Sequence, residues 1–197
     1  MHSLITESSF YFTVLDIALI IWVAPEWIGT YFQRSKQGAV KRDRGSHLAL
    51  ILSLTAGMVV AVYCVQDIPS TTITWLQIPL FWTGIVLMLA GVAFRWYAIR
   101  MLGRFFTRDV ATRADQVVVE AGPYHWIRHP SYSGGLLTAL GFGLALTNWL
   151  ALLAILCGAL IGYAYRVHVE ERALCEALGD AYRDYMRRTK RFIPFVW

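Results

Sequence analysis

Charged residues are scarce in this chain of 197 residues and absent from long parts of it. Asp, Glu, Lys and Arg make up 16% of the sequence, whereas hydrophobic residues make up 57%. A soluble globular domain carries about 25% charged residues, so this balance argues against a soluble globule and favours the membrane class. The three cysteines, Cys64, Cys157 and Cys175, are widely spaced, which predicts neither a disulfide nor a metal site.

The first 33 residues contain no Lys or Arg. All 18 basic residues fall in three blocks, at residues 34–44, 95–128 and 166–191. The positive-inside rule produces this alternation in a chain that crosses a bilayer repeatedly, so it predicts an N-terminus outside and a C-terminus inside the cytoplasm. The basic charge therefore indicates contact with a membrane and no nucleic-acid partner.

The ends of the apolar segments support this topology. No cationic region precedes the first segment and no small-residue cleavage site follows it, which predicts a retained span and not a removed signal peptide. The loop at residues 33–45 holds five positive charges and one negative charge. We interpret this loop as a marker of the cytoplasmic face.

Residues 1–100 contain three apolar segments of membrane-spanning length, at about 10–31, 48–65 and 78–97. Residues 136–165 contain no Asp, Glu, Lys, Arg or His. One helix over that whole run would be about 45 Å long, well beyond the bilayer core.

A break at residues 147–149 resolves this excess length. It divides the run into an antiparallel hairpin with arms at about 130–146 and 149–167, and the second arm continues as a cytoplasmic helix to about Leu178. The expected fold class is therefore all-α, an integral membrane bundle of five transmembrane helices. Residues 101–197 would form its functional core.

Two polar clusters flank this hairpin and emerge on the same side of the bilayer. Residues 128–132 lie where a loop enters a helix, and the exposed N–H groups there, with a neighbouring His and Arg, suit a carboxylate or phosphate. Arg166, Glu170 and Glu171 lie at the end of the second arm, where ionisable groups are costly unless something polar uses them. Interfacial anchoring and an ordinary i,i+4 ion pair are the structural alternatives.

The motifs in and around these clusters together resemble the isoprenylcysteine carboxyl methyltransferase family. The resemblance covers about residues 102–194 and includes the apolar hairpin. The motifs are Leu102-Gly-Arg-Phe-Phe-Thr107, Gly122-Pro-Tyr-x-x-Ile-Arg-His-Pro-x-Tyr132, Arg166-x-x-x-Glu-Glu171, Leu178-Gly-Asp-x-Tyr-x-x-Tyr185 and Arg191-Phe-Ile-Pro194.

The resemblance implies S-adenosylmethionine bound in a cytoplasmic pocket of the C-terminal half, and an acceptor whose lipid tail enters laterally between the spans. Backbone near Val118 and Val119 would hold the adenine, and Arg166 would hold the acceptor carboxylate. The catalytic residues it implies are Arg166 and Glu170, and the cofactor contacts are Val118, Val119, Tyr124, His129, Pro130, Tyr132, Glu170 and Glu171.

The chemistry of methyl transfer agrees with these residue types. A carboxylate is already ionised at neutral pH, so the protein has to supply alignment and exclusion of water and needs no general base. Arg166 suits a carboxylate because its planar fork binds both oxygens and stays charged. An amine acceptor would instead have to lose a proton, and Glu170 would then be a candidate base.

Other functions stay open at this point. The same fold would serve a phospholipid, small-amine or thiol methyltransferase. The His-Pro-x-Tyr turn and the C-terminal tyrosines also occur in reductases of isoprenoid or sterol double bonds that use NADPH. In a non-enzymatic membrane scaffold, the polar clusters would only anchor helices.

Overall fold

The computed structural model describes residues 8–32, 40–41, 43, 45–106, 111–112 and 115–193. Helices dominate these ranges, which confirms the expected helical class. Two strands of two residues each, β1 (Val40–Lys41) and β2 (Ala111–Thr112), pair antiparallel and join two loops. The helices are α1 (Ser9–Phe32), α2 (Ser46–Asp67), α3 (Gln77–Leu102), α4 (Pro130–Ala145), α5 (Trp149–Leu178) and α6 (Asp180–Arg188).

Four of these helices contain segments that are long and apolar enough to cross a membrane. Helix α4 is not one of these four. It has 16 residues and is therefore about 24 Å long, which is shorter than the roughly 30 Å thickness of the hydrocarbon layer. The expected span at about residues 130–146 and the division of the chain into two parts near residue 100 remain predictions. The four segments are Ser9–Glu26, Ser46–Asp67, Gln77–Phe105 and Trp149–Leu178.

The chain turns between α4 and α5 at Thr147 and Asn148, where the sequence indicated a break. Thr147 takes a left-handed conformation with φ 51°. The Asn148 side chain accepts hydrogen bonds from the backbone N–H groups of Leu150 and Ala151, which satisfies two donors at the start of α5. Its amide also donates to the Thr71 hydroxyl at 2.7 Å. These contacts return the chain antiparallel to α4.

Glycines let neighbouring helices pack with their backbones in direct contact. A Cβ atom at Gly84 of α3 would lie 2.5 Å from the backbone nitrogen of Ala145 and from the carbonyl oxygen of Gly141 in α4. Gly57 of α2 and Gly158 of α5 make a similar close approach between their helices. Close packing of small residues is one of the interactions that drive helix association in lipid, so these contacts help to hold α3 to α4 and α2 to α5.

The segment after α6 returns to the start of α4 and pairs with it. The backbone N–H groups of Arg128 and His129 donate to the carbonyl oxygens of Lys190 and Arg191, at 2.7 and 3.1 Å. The Ser133 hydroxyl donates to a further carbonyl of this segment at 2.6 Å. These bonds fix the position of His129 immediately before α4.

The glycine contact between α3 and α4 generates a stability prediction. We expect Gly84→Val to lower the free energy of unfolding by at least about 1–3 kcal/mol, because the added atoms would overlap backbone that side-chain rotation cannot move. Val86→Leu on the same helix, at a position that is 62% exposed, is the matched control and should change little. Thermal unfolding in detergent measures both, and equal midpoints would contradict this account of the packing.

Candidate functional site

A cleft opens where the start of α4, the end of α5 and the loop at residues 116–119 meet. It contains about 830 Å³ of space between atoms, part of which is open to solvent. The cavity volume proper is about 90 Å³, below the roughly 300–1,000 Å³ of typical ligand pockets, so a nucleoside-sized molecule would also occupy the part of the cleft that is open to solvent. Its apolar wall includes Leu102, Phe105, Phe106, Val117, Leu174 and Leu178.

A connected line of polar side chains runs along one side of the cleft. The Nε atom of Arg166 donates to the Tyr132 hydroxyl at 3.3 Å, and this hydroxyl donates to Oε2 of Glu170 at 2.6 Å. The His129 ring stacks on the Tyr132 ring, with centroids 5.6 Å apart and planes 13° apart. The structure therefore joins the two polar clusters that flank the hairpin, with Tyr132 as the link between Arg166 and Glu170.

The structure brings together seven of the nine residues that the sequence singled out. Val118, Val119, Tyr124, His129, Tyr132, Arg166 and Glu170 line the cleft, and Pro130 and Glu171 do not. Pro130 is fully buried as the first residue of α4, where its missing N–H costs the helix nothing. The functional roles of all nine residues remain predictions.

Glu171 has different surroundings from its neighbour Glu170. Its carboxylate, which is 6% exposed, accepts from Nε of Arg128 and from Nη2 of Arg191, both at 2.9 Å. Nε2 of His129, a residue that lines the cleft, lies 3.4 Å from Oε1 of Glu171. Arg128 also donates to the backbone carbonyls of residues 186 and 189. Glu171 therefore joins α5 to the loop before α4 and to the C-terminal segment.

Two buried polar atoms in the cleft have no hydrogen-bond partner within the described ranges, the Tyr124 hydroxyl and Oε1 of Gln116. Burial raises the pKa of the Tyr124 phenol well above its usual value, and the nearby charge of Glu170 raises it further. Tyr124 is therefore a neutral donor at physiological pH. Because an unsatisfied buried polar group costs about 1–3 kcal/mol, a polar ligand that reached both atoms would bind with an advantage.

Two of the residues that sequence reasoning did not assign to this site are Asp43 and Gln116. Oδ1 of Asp43 accepts from Nη1 of Arg166 at 2.8 Å, across 123 positions of sequence. Asp43 is the one acid in the basic loop before α2, and this isolated negative charge was a signal that could have found it. Gln116 has no comparable signal, because it lies in a loop without periodicity.

The contrast between the two adjacent glutamates generates a second prediction. Glu171→Gln should lower the free energy of unfolding by on the order of 3 kcal/mol, because it leaves the buried Arg128 charge uncompensated. Glu170→Gln should cost clearly less, since its side chain is 30% exposed and Gln still accepts from Tyr132. Thermal unfolding in detergent tests this order, and a larger loss in Glu170→Gln would contradict it.

Comparisons with known proteins show that the part of the chain around the cleft is similar to a known sequence family. Residues 83–176 match the model of the isoprenylcysteine carboxyl methyltransferase (ICMT) family. The chain is 34% identical over 115 residues to protein-S-isoprenylcysteine O-methyltransferase of Saccharomyces cerevisiae, covering 57% of this chain and 48% of the relative. It is 32% identical over 115 residues to protein-S-isoprenylcysteine O-methyltransferase B of Arabidopsis thaliana, covering 57% and 58%.

A solved structure of the eukaryotic intramembrane Ras methyltransferase ICMT is similar over more of the chain. The match has a TM-score of 0.56 and 25% identity, and it covers 80% of this chain and 55% of that one. The chain thus spans about half the length of the relatives it matches. Its apolar helices and this membrane-protein neighbour identify a multi-pass integral membrane protein. Motifs, family match and fold agree that this chain is similar to the isoprenylcysteine carboxyl methyltransferase family over residues 83–176, which include most of the residues that line the cleft.

Proposed function

We propose that this protein is a methyltransferase that uses S-adenosylmethionine to methylate the carboxylate of a lipid-like acceptor, with a prenylcysteine as the leading acceptor. The observation that carries the proposal is the line of Arg166, Tyr132 and Glu170 in a cleft at the ends of apolar helices. All three residues lie within the segment that matches the methyltransferase family. The named activity of the relatives supports the same reaction.

The cleft suits S-adenosylmethionine in its distribution of polar and apolar surface. Val118 and Val119 would border the adenine, and the unsatisfied Tyr124 and Gln116 atoms would hydrogen-bond to polar atoms of the cofactor. The Glu170 carboxylate would attract its ammonium group. When bound, this cofactor supplies a methyl group on a positively charged sulfur, which a nucleophile takes by in-line displacement.

The residues of the cleft would align the acceptor and exclude water. Arg166 would hold the acceptor carboxylate, which needs no general base because it is already ionised. Tyr132 contacts both Arg166 and Glu170, so it would keep the acceptor end and the cofactor end of the site at a constant separation. The apolar side chains around it, including Leu174 and Leu178, would keep water away from the reacting atoms.

The membrane topology suits an acceptor with a lipid tail. The basic blocks of the sequence favour a cleft on the cytoplasmic side and an N-terminus outside. The tail would remain between the spans while the carboxylate reached Arg166 at the membrane boundary. An amine acceptor on a phospholipid is the second candidate, because Glu170 lines the cleft and is partly exposed, as a base would need to be.

The fit of the cofactor generates a binding prediction. We expect purified protein in detergent to bind S-adenosylmethionine in calorimetry, and Tyr124→Phe to weaken the affinity about 2- to 10-fold through the loss of one neutral hydrogen bond. Tyr63→Phe, at an exposed position on α2, is the matched control and should bind as the wild type does. Folded wild-type protein that bound NADPH and no S-adenosylmethionine would favour the reductase and contradict the proposal.

The acceptor is tested by transfer of a radiolabelled methyl group. Wild-type protein should label a farnesylcysteine analogue faster than a phospholipid mixture or a thiol. Arg166→Gln should reduce this labelling about 10- to 100-fold, because it removes a charge-assisted contact to the acceptor carboxylate. Preferred labelling of phospholipid would support the amine candidate, and wild-type activity in Arg166→Gln would exclude the assigned role of Arg166.

A further inference from the structure

We propose that Asp43 is a positioning residue that moderates the positive charge of Arg166 and so sets how tightly the acceptor carboxylate is held. This inference rests on the proposed carboxyl methylation and deepens it. Asp43 lies before α2, outside residues 83–176 that match the family model. The site of the C-terminal half would thus depend on a residue from the N-terminal half.

The guanidinium of Arg166 is held from two directions. Nη1 donates to Oδ1 of Asp43 at 2.8 Å and to the Ser46 hydroxyl at 3.0 Å, while Nε donates to the Tyr132 hydroxyl at 3.3 Å. The Arg166 side chain is only 4% exposed, so solvent screens its charge weakly. A buried cation in this position depends on its neighbouring carboxylates for compensation.

Asp43 is itself held in place by the first turn of α2. The Ser46 hydroxyl donates to Oδ1 of Asp43 at 2.5 Å, and the backbone N–H of His47 approaches its Oδ2 at 3.4 Å. The backbone N–H of Ser46 donates to the Asp43 carbonyl at 2.8 Å. The carboxylate therefore meets Arg166 in a defined orientation and belongs to the framework of the site.

This arrangement matters because methyl transfer removes negative charge from the acceptor. An interaction that is stronger with the ionised acceptor than with the transition state tightens binding and slows the reaction. An uncompensated guanidinium would be such an interaction. Asp43 contacts Arg166 directly, and Glu170 acts on it through Tyr132, so an incoming carboxylate would meet a cation whose charge is already partly compensated.

Two substitutions remove the charge of Asp43 and keep a short polar side chain, Asp43→Asn and Asp43→Ser. With a farnesylcysteine analogue as acceptor, both should lower KM at least threefold and lower kcat at least threefold. The dissociation constant of S-adenosylmethionine should stay within twofold of wild type. Asp43→Glu, which retains the carboxylate, should return KM and kcat towards the wild-type values.

A neutral analogue of the acceptor distinguishes an effect of the Asp43 charge from an effect of the substitution on the shape of the site. The carboxamide of the same farnesylcysteine analogue should compete with the acceptor, and its inhibition constant should be equal in wild type, Asp43→Asn and Asp43→Ser. Asp180→Asn makes the same chemical change at a side chain that is 90% exposed, and it should leave every constant unchanged. A changed affinity for the charged ligand together with an unchanged affinity for the neutral ligand is what a merely structural role would not produce.

Each other outcome overturns the inference. A rise in KM, an unchanged kcat, or a carboxamide that tightens as much as the carboxylate would show that Asp43 only supports the fold. Loss of folding in both Asp43→Asn and Asp43→Ser would show the same. These results leave the proposed function intact, whereas failure of wild-type protein to methylate any carboxylate acceptor would overturn the proposed function and this inference together.

Discussion

The antiparallel return of α5 along α4 is the constraint on which the site depends. Tyr132 lies in the first turn of α4 and Glu170 lies near the end of α5, 38 positions later, yet their side chains are 2.6 Å apart. Only a turn between the helices can bring these two residues together. Asn148 forms that turn by satisfying the first donors of α5, and the glycine contacts of α4 with α3 hold the first arm in place.

The polar groups of the site divide into a supporting part and an accessible part. The supporting part consists of Glu171, Arg128 and Arg191. Their ion pairs join α5, the loop before α4 and the C-terminal segment next to His129. Burying such charges is expensive, and their mutual contacts compensate that cost only when the geometry is good. The supporting part thus holds the loop before α4, and it leaves Glu170 and Tyr132 to face the cleft, where a ligand can use them.

Much of this arrangement could be predicted from the sequence, and the limits have physical causes. Apolar length and the positions of Lys and Arg predict the helical membrane class, and helical spacing predicts that Glu170 lies in line with Leu174 and Leu178, which also line the cleft. The family resemblance, however, implied cofactor contacts for both Glu170 and Glu171 and so did not distinguish their roles. Their difference depends on Arg191, which approaches only because the chain folds back after α6.

The position of Arg166 along α5 fits the proposed acceptor, which would have one end in lipid and one in water. At 1.5 Å per residue, Arg166 lies about 26 Å from Trp149 along the helix axis, close to the full depth of a hydrocarbon layer of roughly 30 Å. If Trp149 occupies one interface, the guanidinium reaches the other, and the remaining residues to Leu178 extend beyond it. A buried cation at that depth needs anionic partners on the protein side, which Asp43 and the Tyr132–Glu170 pair provide. Under the proposed function, the same compensation that makes Arg166 tolerable at that depth would also limit how strongly it binds a carboxylate.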